Sequence, residues 1–210
     1  AGAGSGKTSV LTQRIQYRIG SGVNPTSILA LTFTDLAARE MRERVEKLYP
    51  NSGVKLCTFH SLALSLLKEE YPSGKGFELL GFKKVPTPKE LSGNDFLCDL
   101  AEVGVQAKDI SRDELFSDSL SSSVFKKTEI CRQKIKETGE VVFEDLIYLA
   151  IALIEKFQEA RSILQDKFQE ILVDEYQDIN PSQYRLVRAL LGERKSLFAV
   201  GDDDQAIYGF

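Results

Sequence analysis

The amino-acid sequence predicts a parallel α/β fold that carries an inserted, mostly helical subdomain. Short apolar runs typical of buried parallel strands alternate with stretches of helical periodicity, an order that favours a parallel sheet covered by helices. A glycine-rich loop stands directly before the first helical stretch, and the strand signal fades in the middle of the chain. These three observations define the architecture.

Four apolar runs predict the strands, the second more weakly than the others: residues 28–33, 54–58, 170–173 and 196–200. Helical spacing gives two early helices, one with Leu11, Ile15 and Ile19 and one with Ala37, Met41, Val45 and Leu48. A later apolar stripe predicts a long helix that we expect to rejoin the α/β core, formed by Phe143, Leu146, Ile147, Ala150, Leu153, Ile154 and Phe157.

Turn-forming residues support these elements. Residues 20–25 end the first helix and residues 49–53 end the second, while Asn180 and Pro181 open a later one. Breaks rich in proline, glycine and serine divide the middle of the chain into short pieces. We therefore predict three segments: residues 1–72 as the first part of the α/β domain, 73–139 as the inserted subdomain, and 140–210 as the remainder of the α/β domain.

Composition excludes several classes of protein. Of the 210 residues 42% are hydrophobic, and no apolar run approaches the roughly 20 residues of a membrane helix, so no membrane partner is expected. Three separated cysteines and one histidine provide neither a disulfide framework nor a zinc site, and they favour a reducing, cytoplasmic location. The net charge of −4 gives no general support for nucleic-acid binding. We interpret both ends of the sequence as truncation points rather than natural termini.

The glycine-rich loop predicts a site for a polyphosphate such as ATP. Its glycines allow backbone N–H groups to converge on phosphate, Lys7 neutralises the terminal phosphates, and the Thr8 hydroxyl ligates Mg²⁺. The predicted binding residues are Gly2, Ala3, Gly4, Ser5, Gly6, Lys7 and Thr8. The usual pattern begins with glycine where this chain has Ala1, and the alternative is a chance glycine-rich turn.

A pair of acids strengthens the nucleotide interpretation. Asp174 and Glu175 follow the apolar run 170–173, where a strand end places one acid to hold Mg²⁺ and the other to polarise an attacking water. The run 196–200 is followed by Gly201 and three acids, and Gln205 is positioned to contact a γ-phosphate. An acidic surface turn explains this last pattern equally well.

Five motifs in order resemble those of the superfamily 1 DNA helicases of the UvrD/Rep/PcrA type. They span residues 1–8, which include the alanine at the opening position, and residues 32–41, 58–63, 173–180 and 200–210. The resemblance implies a RecA-like P-loop NTPase domain, called 1A, with an inserted subdomain 1B. It further implies ATP-driven 3′–5′ translocation on single-stranded DNA and unwinding of duplex DNA.

The resemblance assigns roles that agree with the residue chemistry. Lys7, Glu175 and Gln205 are the expected catalytic residues, with Gln205 also sensing the γ-phosphate, and Thr8 and Asp174 are the expected Mg²⁺ ligands. Positions that contact or stack on DNA are Phe33, Thr34, Thr58, His60, Tyr208 and Phe210. The residues alone favour packing for Phe33, Tyr208 and Phe210 and a structural histidine for His60.

One motif departs from the family. Asp35 and Leu36 stand where the family commonly has asparagine and lysine, so phosphate affinity there is expected to be lower. Basic residues of the inserted subdomain are an alternative source of phosphate contacts, although a solvated charged face is favoured for most of them: Lys83, Lys84, Lys126, Lys127, Arg132, Lys134 and Lys136.

The resemblance also implies parts that these residues do not contain. A second motor domain, 2A, supplies arginines that stabilise charge on the γ-phosphate, so we expect this chain alone to have little ATPase and no unwinding activity. Two alternatives stay open: the motor subunit of a helicase–nuclease, and a non-catalytic scaffold that retains the nucleotide pocket.

Overall fold

The computed structural model describes residues 7–70, 75–83, 85, 86, 141, 143–193 and 196–202. The chain divides into two compact units, one formed by Ala1–Leu62 with Gln158–Phe210 and the other by Ala63–Phe157. Nearly all of the predicted subdomain 73–139 lies outside the described residues, so the three predicted segments stay a prediction.

A parallel sheet organises the first unit. Its strands are β1 (Ile28–Thr32), β2 (Lys55–Thr58), β3 (Glu170–Val173) and β4 (Ser196–Ala199), in the order β2-β1-β3-β4, and every pairing is parallel. All residues of β1 and β3 are buried, as expected for central strands covered on both faces. The predicted parallel α/β fold is confirmed.

Two helices pack on one face of this sheet. They are α1 (Lys7–Gly20) and α2 (Asp35–Leu48). Leu11 and Ile15 of α1 and Met41 and Val45 of α2 share one buried cluster with sheet residues that include Leu172. The residues recur at helical spacing, so the apolar stripe read from the sequence is the face that packs on the sheet.

An ion triad ties α1 to the amino end of β3. Glu170 is the first residue of β3 and its side chain is 0% exposed. Arg14 Nε and Nη2 donate to Glu170 Oε1 at 3.1 and 3.0 Å, and Arg18 Nε lies 3.0 Å from Glu170 Oε2 without hydrogen-bond alignment. Because these arginines lie in the second half of α1, the helix runs antiparallel to β3 and begins near the carboxyl ends of the strands.

Helix α3 (Phe59–Ser65) follows β2, α6 (Gln158–Lys167) precedes β3, and α7 (Pro181–Leu191) connects β3 to β4. Asn180 begins α7 with a full capping box: its Oδ1 accepts from Gln183 N at 2.9 Å, and Gln183 Oε1 accepts from Asn180 N at 3.0 Å. Gln165 Nε2 donates to Ala189 O at 2.8 Å and joins α6 to α7.

The second unit is helical in its described part. It contains a wide turn at Leu66–Glu70, the short helix α4 (Gly76–Leu79) and α5 (Phe143–Lys156). Helix α5 is buried around most of its circumference rather than along one stripe, since Leu149, Ile151 and Ala152 are buried as well as five of the predicted residues. The other two differ from the prediction: Phe143 is 38% exposed, and Phe157 follows the end of the helix and is half-buried. No helix within the described ranges is long and apolar enough to cross a membrane.

Several details of the predicted elements are wrong. Strand β2 begins at Lys55, one residue later than predicted. Strand β1 ends at Thr32, and Phe33, which the residues alone suggested to be core, is 51% exposed. Leu48 of the predicted α2 stripe is 53% exposed because it lies in the last turn of the helix, beyond the buried Val45. Strand β4 ends at Ala199, one residue earlier than predicted.

Burial gives Cys57 of β2 a testable pH dependence. Desolvation raises the pKa of the Cys57 thiol from 9.0 to about 11, against the opposing charges of Lys55 and Arg42. The unfolded thiol therefore ionises first as pH rises. The stabilisation is complete below about pH 9 and is lost as pH rises through about 11, with a total loss of about 3 kcal/mol.

Urea unfolding at about pH 8 and about pH 10.5 tests this expectation, because the interval spans most of the thiol titration. Cys57→Ala is the matched control and is expected to lose less stability over the same interval. An equal loss in both proteins would show that other groups, such as tyrosines and lysines, account for the effect.

Candidate functional site

The carboxyl ends of β1, β2 and β3 bring the described candidate residues to one edge of the sheet. Phe33 and Thr34 follow β1, Thr58 ends β2, and Asp174 with Glu175 follows β3. In open parallel sheets ligands bind at this edge, because the loops and helix N-termini that follow the strands converge there. Helix α1 also begins on this side, as its antiparallel course requires.

Asp174 and Glu175 form a turn directly after β3, which we call the acidic turn. Asp174 is 2% exposed, and its backbone N–H donates to Leu31 O at 2.8 Å. Asp174 Oδ1 accepts from Glu175 N at 3.0 Å. Glu175 has φ 48° and ψ 50°, a left-handed conformation that costs a non-glycine residue energy and is concentrated at functional sites.

The segment after β4 is hydrogen-bonded to this acidic turn. Val200 N donates to Val173 O at 2.9 Å, and Tyr176 N donates to Val200 O at 3.0 Å. Asp202 N donates to Gln177 Oε1 at 3.0 Å. The acidic turn after β3 and the beginning of the segment after β4, which was predicted to sense the γ-phosphate, are therefore neighbours.

The four described residues that are predicted to contact DNA lie on the β2 and β1 side of the same edge: Phe33, Thr34, Thr58 and His60. Phe33 is exposed, and Leu36, three residues further along the chain, is 58% exposed. Thr34 Oγ1 accepts from Ala37 N at 3.2 Å and caps α2. Thr58 Oγ1 accepts from Ser61 N at 3.3 Å and donates to Ser61 Oγ at 3.0 Å, which caps α3. His60 is partly exposed in the first turn of α3.

The remaining predicted residues lie wholly or partly outside the described part of the chain. Lys7 and Thr8 begin α1, but their side chains lie outside the described residues, as do the following residues entirely: Gly2, Ala3, Gly4, Ser5, Gly6, Gln205, Tyr208 and Phe210. Within the described ranges, no group of three or more His, Cys, Asp or Glu residues is arranged to hold a metal ion.

The donor set nevertheless fits Mg²⁺. This ion is held in proteins by one or two carboxylates together with waters and substrate phosphates, so a single buried carboxylate such as Asp174 at a phosphate site is sufficient. The sequence interpretation assigned no role to Gln177 or Gly201. The only sequence signal for Gln177 was its place inside the motif that contains both acids.

Comparison with known proteins gives a consistent result. The UvrD/REP helicase N-terminal domain family matches residues 1–84 and 81–210. The ATP-dependent DNA helicase Rep of Escherichia coli (strain K12) is 35% identical over 234 residues, which cover 100% of this chain and 34% of Rep. The ATP-dependent DNA helicase PcrA of Staphylococcus aureus (strain COL) is 35% identical over 231 residues, covering 100% of this chain and 31% of PcrA. The chain thus spans about a third of these relatives.

Proposed function

The chain belongs to the UvrD/REP helicase N-terminal domain family, and from this premise we propose that it is the ATP-binding motor domain of a DNA helicase. In the proposed function, ATP hydrolysis drives 3′–5′ translocation on single-stranded DNA and unwinding of duplex DNA. The fold is RecA-like, of the P-loop type. The observation that carries the proposal is the buried Asp174 beside a strained Glu175 at the carboxyl edge of the sheet.

Each residue at this edge has a proposed chemical task. Asp174 and Thr8 would hold Mg²⁺, which when bound would neutralise phosphate charge. Lys7 binds the terminal phosphates, and N–H groups of the loop from Gly2 to Gly6 bind the phosphate oxygens. Glu175 accepts a proton from the attacking water, and Gln205 senses the γ-phosphate.

The proposed DNA track lies on the β1 and β2 side of the edge. Phe33 is an exposed aromatic ring, which suits stacking on bases without regard to sequence. Thr34, Thr58 and His60 follow the same strands, and Tyr208 and Phe210 belong to the same proposed track. Because the proposed DNA track and the proposed nucleotide site lie at the same edge of the sheet, ATP hydrolysis would be able to change the affinity of the track for DNA.

The proposal includes a second motor domain, 2A, as a partner that completes the ATP site, and a cytoplasmic location supported by the three separated cysteines. Because arginines of such a domain would stabilise transition-state charge, the 210-residue chain alone is proposed to have little ATPase and no unwinding activity. Turnover by this chain at the rate of the full-length protein would contradict that part of the proposal.

The decisive experiment measures ATP hydrolysis by the full-length protein with and without single-stranded DNA. We expect DNA to stimulate hydrolysis and Lys7→Ala to abolish the stimulated rate, because the cation that neutralises the terminal phosphates is removed. Absence of stimulation would exclude the motor. A Lys7→Ala variant that retained full activity would exclude this nucleotide site.

A further inference from the structure

The amide of Gln177 connects the acidic turn to the segment that follows β4. We propose that Gln177 is a positioning residue, which orients the Glu175 carboxylate and fixes it to the Gly201–Asp202 backbone. The inference deepens the proposed function and rests on it, since Glu175 is the proposed base.

Both ends of the Gln177 side chain are engaged. Nε2 donates to Glu175 Oε2 at 2.8 Å and to Asp178 Oδ2 at 3.1 Å, and Oε1 accepts from Asp202 N at 3.0 Å. A primary amide has two N–H donors and one carbonyl acceptor. Two carboxylates and one backbone N–H therefore match glutamine in a way that neither glutamate nor an apolar residue does.

The backbone of the turn is already fixed without this amide. Tyr176 N donates to Val200 O, and Asp178 N donates to Glu175 O at 2.9 Å. These bonds hold the left-handed backbone of Glu175 but do not select among the rotamers of its side chain. A flexible glutamate side chain loses rotamer freedom when it is held, and the Gln177 amide provides a contact that holds the Glu175 carboxylate before the substrate arrives.

Gly201 has no side chain where the Gln177 amide needs space. A Cβ atom at position 201 would lie 2.8 Å from Gln177 Oε1 and 3.3 Å from both Gln177 N and Tyr176 Cβ. The first distance is too short for a stable contact, so an alanine here must displace the end of the Gln177 side chain. The close approach thus couples the path after β4 to the orientation of Glu175.

The first test uses Gln177→Ala and Gln177→Glu in the full-length protein, with DNA-stimulated hydrolysis as the readout. Removing the donor should reduce kcat by about 10- to 100-fold while KM for ATP changes by less than about threefold, because the amide orients the base and does not bind nucleotide. Gln177→Glu should be at least as impaired, since it places a third carboxylate against Glu175 and Asp178.

Gln165→Ala is the matched control for general loss of structure. It removes an amide hydrogen bond of 2.8 Å between α6 and α7 and is expected to leave kcat unchanged at a temperature where both variants are folded. A fall in kcat of equal size in Gln165→Ala, or a Gln177→Ala effect confined to KM, would overturn the positioning role.

The Gly201→Ala variant provides an independent test. Gly201→Ala should lower kcat as Gln177→Ala does. The kcat of the double variant should be no lower than that of Gln177→Ala alone, because the added methyl group then has no Gln177 amide to displace. Additive effects would contradict the coupling. Loss of activity in Glu175→Gln but not in Gln177→Ala would refute this inference alone, whereas full activity in Glu175→Gln would refute the proposed function.

Discussion

Glu175→Gln in the full-length protein is expected to reduce DNA-stimulated ATP hydrolysis by about 10²- to 10⁴-fold. The substitution keeps the size of the side chain but replaces a carboxylate that accepts a proton with an amide that does not. Nucleotide affinity should change little, because the proposed phosphate and Mg²⁺ contacts come from Lys7, Thr8 and Asp174. The expected defect therefore lies in kcat.

Single-turnover hydrolysis and binding of a fluorescent ATP analogue separate the two effects. Glu159→Gln makes the same chemical change at an exposed position of α6 and should have no effect. If Glu175→Gln weakened ATP binding as strongly as it slowed hydrolysis, Glu175 would be a binding residue and its proposed role as base would be wrong.

Removing both arginines of the ion triad is expected to destabilise the first unit by about 3–5 kcal/mol. In the variant Arg14→Met/Arg18→Met, the Glu170 carboxylate remains fully buried without a partner. Glu170→Met should cost only about 1–3 kcal/mol, because the two arginine side chains are 27% and 29% exposed, whereas the Glu170 side chain is 0% exposed. The double arginine variant also lacks the contact between the Arg14 guanidinium and the Phe198 ring, whose centroid lies 5.2 Å away.

Urea unfolding of the single, double and triple variants measures this asymmetry. The triple variant, with methionine at all three positions, should recover much of the stability that the double variant loses, since no buried charge remains. Equal losses of unfolding free energy in Glu170→Met and in the double arginine variant would show that the buried, unpaired Glu170 carboxylate is not the source of the destabilisation.

The triad was not predicted from the sequence, although its components were visible. Arg14 and Arg18 are four residues apart and share one face of α1, and Glu170 opens an apolar run. Nothing local shows that this helix face meets that strand end 156 residues away. Gln177 was overlooked for a similar reason, because its partner Asp202 lies 25 residues further along the chain.

Exposure of Phe33 was also decided by the tertiary structure. An apolar residue at the end of an apolar run reads as core, yet the strand stops at Thr32 and the chain turns into α2 capped by Thr34. The ring is consequently exposed at the sheet edge. Exposure is compatible with the DNA contact that the family resemblance implies and not with the core position that the hydrophobic pattern predicts.

The sequence by itself determined the parallel α/β class, the positions of the strands and the acids that follow them, because strand burial and helix periodicity are encoded in local patterns of apolar residues. Only the tertiary structure decided strand order, the antiparallel course of α1 relative to β3, the contact of Gln177 with Asp202 and the contacts of Glu170 with the two arginines. These features depend on side chains that meet across large sequence separations, and such meetings are set by packing of the whole unit.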